Sequence, residues 1–465
     1  MAADVGLIVG SRAARHHPAL RPSRRDAPLD ARLPTRSSPT QSATCTFGAV
    51  TIQVRTIPAS KHLEFIDSRP SASFLQTPAW AKVKSEWGSE SLGFFDGENR
   101  LVGVALVLYR QVPKLKRYLA YLPEGPVLDW ETADLAELLP ALVRHCRNQG
   151  AFGVRIGPTI VARAWHADTI KAAIADPQID KLSQATPDET NLTATRVHNE
   201  LRHLGWLAPR PEGAGFAAGQ PRFNFWLPLA AADGTPKTPD ELLKGMNQLW
   251  RRNIKKAEKA GVQVRRGGRE DLARFHEIYT ETAERDHFTP RPLSYFETMW
   301  DALSAEGDRI RLYLAEHEGD LIAATTWVRV GQHAWYSYGA STSHKREVRG
   351  SNAIQWRMIT DALDAGATIY DLRGITEGLE ADDPHLGLIQ FKVGTGGRAV
   401  EYLGEWDLAI NKPLYRAFDA YVNRGALVEL GKGLVRNPGR IVGAVNRAGS
   451  RPLGALRRLA KDARR

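Results

Sequence analysis

The sequence predicts a mixed α/β protein, and three observations carry that reading. Apolar residues at helical spacing, as in Leu135, Leu138, Leu142 and Cys146, recur between short runs rich in β-branched and aromatic residues. Turn dipeptides join neighbouring runs, at Asp96-Gly97 and again at Gly319-Asp320. With 465 residues, 43% of them hydrophobic and 25% charged, the chain is long enough for two or three domains with sizeable cores.

The elements follow in order. Residues 1–50 are rich in Arg, Pro, Ser and Ala without apolar periodicity, and they read as a disordered extension. A first unit, 51–220, starts with a short helix from Ala79 to Trp87. Strands Leu92–Phe95 and Leu101–Tyr109 follow, then a helix from Asp134 to Gln149 and a strand from Phe152 to Ile156. A second unit, 221–405, repeats that order without visible sequence identity. It runs from an alternating strand, Arg222–Leu227, through helices to a long hairpin, Leu312–Glu316 with Leu321–Val330. A strand at Trp335–Tyr338, a helix at Ser351–Ala365 and a strand at Thr368–Leu372 complete it. Alternation on the 335–338 strand puts Tyr336 and Tyr338 on one face. Residues 406–430 read as a helical segment packing back on the first unit, and 431–465 as a basic amphipathic tail.

Composition narrows the function classes. The longest uncharged apolar run, Leu101–Tyr109, is nine residues, far short of a membrane span. Cys45 and Cys146 are the two cysteines, so neither a disulfide framework nor a zinc knuckle is expected, and no metal site is assigned. Ala2–Gly10 lacks the basic start and apolar length of a secretory signal, which makes a cytoplasmic location the expectation. The net charge of +11 is concentrated at the ends. Residues 431–465 hold ten Lys/Arg against Asp462 alone, and residues 1–48 hold seven arginines against three aspartates. Such tails attract polyanions, either RNA or the anionic face of the inner membrane.

The stretch Ile389-Gln390-Phe391-Lys392-Val393-Gly394-Thr395-Gly396-Gly397 is the most specific chemical signal. A Phe-Lys pair runs into a glycine-rich turn, and a strand-like run, Ala399–Trp406, follows. A lysine there can fix a positive charge beside a backbone that approaches a ligand closely, which suits the oxyanion formed when an amine attacks an ester or thioester. An exposed hairpin lysine is the bland alternative.

Six separated motifs extend that signal. They are Trp80-Ala81-Lys82-Val83-Lys84, Arg251-Arg252-Asn253-Ile254-Lys255-Lys256-Ala257 and Thr289-Pro290-Arg291-Pro292-Leu293-Ser294-Tyr295-Phe296. The others are Trp335-Tyr336-Ser337-Tyr338, Tyr370-Asp371-Leu372-Arg373-Gly374 and the Phe391-Lys392 segment. In that order the chain, from about residue 56 to about residue 425, resembles the Fem family of peptidoglycan-bridge peptidyltransferases, most of all its FemX-like members.

The resemblance implies tandem acetyltransferase-like (GNAT-type) domains. It also implies transfer of an amino acid, glycine first with alanine or serine as alternatives, from aminoacyl-tRNA to the stem-peptide side-chain amine of a peptidoglycan precursor. Aminoacyl-tRNA is then a co-substrate and no cofactor is expected. The acceptor is a UDP-linked or lipid-linked muropeptide. The coiled-coil arm of some members is absent, since Val262 is followed almost at once by Glu270–Arg285. By the resemblance Lys392 and Phe391 sit at the reaction centre, and Lys84 and Arg291 hold the muropeptide phosphates. Trp80, four residues before Lys84 on one helical face, and Tyr295, Tyr336 and Tyr338 are candidates to line the pocket, with core packing the alternative for Tyr336 and Tyr338. Two prolines stiffen the backbone at Arg291, whose planar fork suits phosphate oxygens. An aspartate considered in the family as a base falls at Gly157, so no general base is assigned; Asp371 and Glu377 are candidates by proximity alone.

The basic run Arg251, Arg252, Lys255, Lys256 and Lys259 puts residues 251, 255 and 259 on one helical stripe. It either grips tRNA phosphates or is a solvated face, with Leu243, Met246, Leu249 and Ile254 as the buried side. Two other readings remain. One is an acyl-CoA N-acyltransferase, for which Arg346–Asn352 opens a helix but has Arg349 where glycine is wanted. The other is a non-catalytic RNA- or membrane-binding module that acts through the tails, with peripheral contact at the inner membrane through 431–465.

Overall fold

The structure is a computed structural model, and it describes residues 52–113, 115–208 and 219–422. The expected N-terminal extension and the 431–465 tail lie outside the described residues. The first sheet opens with β1 (Gln53–Thr56), β2 (Gly88–Phe95), β3 (Leu101–Gln111), β4 (Tyr118–Leu122), β5 (Val127–Leu128) and β6 (Ala151–Ile156). The chain then lays β7 (Val161–His166) and β8 (Glu189–Thr190) into the second sheet. That sheet continues with β9 (Phe223–Pro228), β10 (Gln263–Gly267), β11 (Ile310–His317), β12 (Asp320–Val330), β13 (His333–Ser341), β14 (Ile369–Gly374) and β15 (Arg398–Tyr402). β16 (Trp406–Ala409) returns to the first sheet.

Both sheets are built on one plan. In the first, β1–β4 are successive antiparallel neighbours and β6 lies parallel to β4, reached through the helix Leu135–Asn148. In the second, β10–β13 are antiparallel neighbours and β14 lies parallel to β13, reached through the helix Gly350–Asp364. This is the repeated GNAT-type α/β unit expected from the sequence. A sixth strand then crosses over in each case: β16 pairs with β6, and β9 pairs with β14. β15 and β7 extend the second sheet beyond β9. The sheets therefore exchange strands, and the 220/221 division in the chain does not coincide with a division between sheets.

Local chemistry sets the helix boundaries. Asp134 accepts from Ala136 N at 3.0 Å and Glu137 N at 3.3 Å at the start of Leu135–Asn148. Thr238 and Glu241 form a reciprocal cap on Pro239–Gly245. Asn247 caps Gln248–Lys259 by accepting from Trp250 N at 2.9 Å. Leu135, Leu138, Leu142 and Cys146 are buried, as their spacing demands. One apolar cluster spans both halves: Phe74, Leu75 and Trp80 of the first pack with Leu272, Phe275, Phe296 and Trp335 of the second. The halves are thus joined by core, which holds residues of both in fixed relation.

Three expectations change. The helix expected at Ala79–Trp87 is Pro78–Val83, with Lys84 as its C-cap residue, and an unexpected helix, Ala59–Asp67, precedes it. Phe391 and Lys392, expected only to run into a glycine-rich turn, lie on a helix, Leu386–Val393, which also removes the exposed-hairpin alternative. Tyr336 and Tyr338 do not share a face. A bulge opposes Tyr336 to Trp327 and Tyr338 to Thr326, so Ser337 is the extra residue and alternation shifts by one. Tyr338 turns to the Phe296 cluster with Trp335, while Tyr336 packs on the other side of the sheet.

Candidate active site

Lys392 is 3% exposed. Its Nζ donates to Gly374 O at 2.7 Å and to Arg373 O at 3.2 Å, at the end of β14. Burial pushes its pKa down to about 7, against the opposing pull of Asp371. Bonds from a charged donor are each worth about 1.5–3 kcal/mol, so the two carbonyls partly offset the cost of burying the ammonium. Thr395 closes the helix beneath it by donating to Lys392 O at 2.6 Å. Phe391 tilts against Trp250, centroid to centroid 4.7 Å, and Trp250 Nε1 donates to Phe391 O at 2.8 Å.

The glycines after Lys392 make close contact with protein, not with an open cleft. A Cβ at Gly394 would strike Trp250, one at Gly396 would strike Gly245 O, and one at Gly397 would strike Trp226 O. Gly394 seats the helix Leu386–Val393 against the start of Gln248–Lys259, and Gly396 and Gly397 hold the following turn against Gly245 and Trp226. The expectation of a backbone opened to ligand is corrected accordingly.

Asp371, fully buried, accepts from Trp226 Nε1 at 3.0 Å and from Arg373 N at 2.6 Å. Arg373, held at φ +63°, sends its guanidinium across to the first unit, 3.2 Å from Glu124 Oε1 and 3.5 Å from Gln220 Oε1. A Cβ at Gly157 would lie 3.1 Å from Glu124 N and 3.6 Å from Glu405 Cγ. Burial raises Glu405 to about 7, and it accepts from Tyr121 at 2.6 Å. The seam around Gly157 is thus carboxylate-bearing although the residue itself is not. Glu377 accepts from the Ser183 hydroxyl.

The second group of expected residues assembles 5–6 Å around one ring. Lys84 Nζ lies 5.5 Å and Arg291 Cζ 5.4 Å from the centroid of Tyr295. Tyr295 and Tyr338 hydroxyls are 3.1 Å apart. Burial, with Arg291 as a nearby like charge, lowers Lys84, and Glu86 at 3.8 Å opposes that. Burial holds the Tyr295 hydroxyl well above its ordinary value, so it stays protonated. Trp80 is core, edge-on to Phe74 at 5.3 Å. The same Phe74 ring faces Arg373 at 5.5 Å, which links this cluster to the Lys392 side. Tyr336 does not join it; its hydroxyl sits over Gly339, and burial lifts it to about 12.

The basic run does form a helix, Gln248–Lys259. Trp250 and Ala257 are buried, Met246 is buried just before the helix, and Leu243 and Ile254 pack on the same core as expected; Leu249 alone departs, at 51% exposed. Arg251 turns inward, donating to Met246 O and, at 3.2 Å, to Lys244 O. Arg252, Lys255, Lys256 and Lys259 have no carboxylate partner among the described residues, and all four are exposed.

With this geometry in place, the comparisons with known proteins decide the family. The FemAB family model matches residues 57–320 and 313–422. The chain belongs to the FemAB family. It is 26% identical over 423 residues to a lipid II:glycine glycyltransferase of Staphylococcus epidermidis, covering 76% of this chain and 92% of that protein. It is 27% identical over 429 residues to a lipid II:glycine glycyltransferase of Staphylococcus aureus, covering 77% and 93%. A crystal structure of FemX aligns over 79% of this chain and 100% of that one, with a TM-score of 0.65 and 24% identity, so the fold is shared.

Sequence reasoning named Lys392, Phe391, Lys84, Arg291, Tyr295 and Tyr338, which the structure places in two linked clusters. It assigned no role to Arg373, Glu124, Gln220, Trp226 or Trp250. Arg373 stood inside a quoted motif, but its partners are distant in sequence.

Proposed function

We propose that this member of the FemAB family transfers an amino acid, glycine first, from aminoacyl-tRNA to the stem-peptide side-chain amine of a lipid-linked peptidoglycan precursor. The observation that carries this reading is Lys392, a buried cation held by Arg373 O and Gly374 O and braced by the Phe391–Trp250 contact. The acceptor nitrogen attacks the ester carbonyl of the aminoacyl group. The new C–N bond forms, the ester C–O bond breaks, and the ribose hydroxyl leaves with a proton. Lys392 neutralises the oxyanion between those events, the kind of preorganised charge that dominates acyl transfer. An aminoacyl ester is already activated, so positioning and charge suffice.

Lys84 and Arg291 hold the phosphates that join the muropeptide to its carrier, with Tyr295 as the shared platform. The names of the staphylococcal relatives favour the lipid-linked acceptor over the nucleotide-linked one. Contact with the anionic membrane face through 431–465 fits that acceptor, and the reaction is placed on the cytoplasmic side. An acyl-CoA donor is the competing reading; Arg349, at φ +63°, stands where a pyrophosphate loop would use glycine. The test is to offer the purified protein charged tRNAs or acyl-CoA, with lipid-linked or UDP-linked acceptor, and to weigh the products. A glycine-mass increase on the lipid-linked acceptor, dependent on glycyl-tRNA, supports this reading. Acylation from acyl-CoA alone overturns it.

A further inference from the structure

The helix Gln248–Lys259 leaves the reaction centre at Trp250, bonded to Phe391 O, and packs along the helix Gly350–Asp364. The start of the second helix meets the middle of the first. Asn253 Nδ2 lies 3.4 Å from Asn352 Oδ1. Asn352 is 5% exposed, and its Nδ2 is buried with no acceptor among the described residues. A fifteen-residue helix ordinarily begins with a Ser, Thr, Asp or Asn that satisfies its first amides. Here the N-cap is Arg349, at φ +63°, which has no side-chain acceptor to offer. The N–H groups of Gly350 and Ser351 find no acceptor among the described residues. Exposed Arg346 and Arg349 stand before this terminus, and Arg252, Lys255, Lys256 and Lys259 are exposed on the helix that packs against it. The carboxylates on the same segments are Glu258, Glu347, and Asp361 and Asp364 at the far end of the helix Gly350–Asp364.

Open amides, an unpartnered buried amide side chain and surplus cations together describe an anion site. Resting on the function proposed above, we propose that this terminus seats a backbone phosphate of the RNA co-substrate's single-stranded 3′ end. The helix Gln248–Lys259 is the track that leads that strand to Phe391 and Lys392. Asn253 stands three residues beyond Trp250, close to one helical turn of about 5.4 Å. The seat therefore takes a phosphate near the aminoacylated end and not one deep in a duplex. Exposed Leu249 adds an apolar surface beside the track, suited to an unpaired base.

Two variants test this in the full chain. Arg349→Gly relieves the left-handed backbone while removing one cation, so folding is preserved. Asn352→Asp is nearly isosteric and places a negative charge in the seat. The probe is a fluorescent RNA minihelix with an unpaired CCA end, compared with the same RNA lacking those three nucleotides, over a range of salt. Each variant is expected to bind the complete RNA at least about fivefold more weakly. The salt slope should fall by about 0.7, the value for one single-strand phosphate contact. Binding of the shortened RNA should not differ between variants and parent. Should Asn352→Asp fail to fold, Arg349→Gly alone decides. Unchanged affinity and slope in Arg349→Gly overturn the seat. A protein that binds the RNA as described yet transfers nothing sinks the proposed function and leaves the seat standing. Normal transfer with unaffected variants sinks the seat alone.

Discussion

Lys84 and Arg291 share a single aromatic platform: their charged groups lie 5.5 and 5.4 Å from the centroid of Tyr295. One caps the end of the helix Pro78–Val83 in the first unit, and the other precedes the helix Leu293–Ser304 of the second. Burial lowers Lys84, and the like charge of Arg291 adds to that, so two cations are held close together here with Glu86 opposing.

Groups that share one ligand do not act independently. Lys84→Ala and Arg291→Ala should each raise KM for the muropeptide acceptor more than they lower kcat. The double variant should depart from additivity by about 1 kcal/mol, inside the range for residues in contact. Steady-state kinetics on the four proteins gives the answer; strict additivity would place the two residues on different parts of the substrate. Tyr295→Phe keeps the ring and loses only the hydroxyl contact to Tyr338, so it should cost less than either.

The glycine-rich turn makes a separate prediction about stability. Gly396 has φ +81°, and a side chain there would meet Gly245 O. Gly396→Ala should destabilise by at least about 1–2 kcal/mol from the left-handed backbone alone. Gly387→Ala, where nothing lies within 4 Å of an added Cβ, should be neutral or slightly stabilising. Thermal unfolding of the pair distinguishes a turn that fixes packing from one kept open for ligand, which would tolerate both changes.

These contrasts mark what could be seen in the sequence. Helices with a periodic apolar face and a capping residue, such as Leu135–Asn148 behind Asp134, were legible within a residue or two, because the information is local. So was the hairpin of β11 and β12 around Gly319. The 391–392 pair was recognised chemically but its helix was not, since Leu386–Val393 is apolar almost all round and has no helical stripe to read. The bulge at Ser337 left no signature, and it alone decides that Tyr338 and not Tyr336 joins Tyr295. The strand exchange and the Arg373–Glu124 pair, 249 residues apart, depend on tertiary contact and were out of reach.

Residues 431–465 carry a prediction from sequence alone. Their ten basic residues, with Leu453, Leu456 and Leu459, suit a segment lying on an anionic bilayer, each nearby cation contributing about 1 kcal/mol at low salt. The intact protein should sediment with liposomes containing anionic lipid and release as salt rises, while a chain ending at Gly431 stays in the supernatant. Equal sedimentation of the two would reject the membrane role.

Lys392 links stability to pH in a particular direction. Its folded-state pKa, about 7, lies below that of an exposed lysine. Between about pH 7 and the ordinary lysine range the unfolded chain holds more protons at this site, so stability rises with pH there. Lys392→Met removes the group that causes this. The variant should melt as high as the parent or higher near pH 7, with the difference shrinking towards pH 10. A variant that melts much lower at every pH would show Lys392 to be chiefly structural.

The central claim is that the charge on Lys392 is spent on the transition state, and single-turnover glycyl transfer from labelled glycyl-tRNA to a lipid-linked acceptor tests it most directly. Lys392→Met should lower the rate by a factor on the order of 100 while leaving acceptor binding nearly unchanged, as for loss of one oxyanion-stabilising group. The parent rate should fall as pH rises above about 7, when the ammonium loses its proton. Near-full turnover by Lys392→Met, with the same pH profile as the parent, would contradict the account.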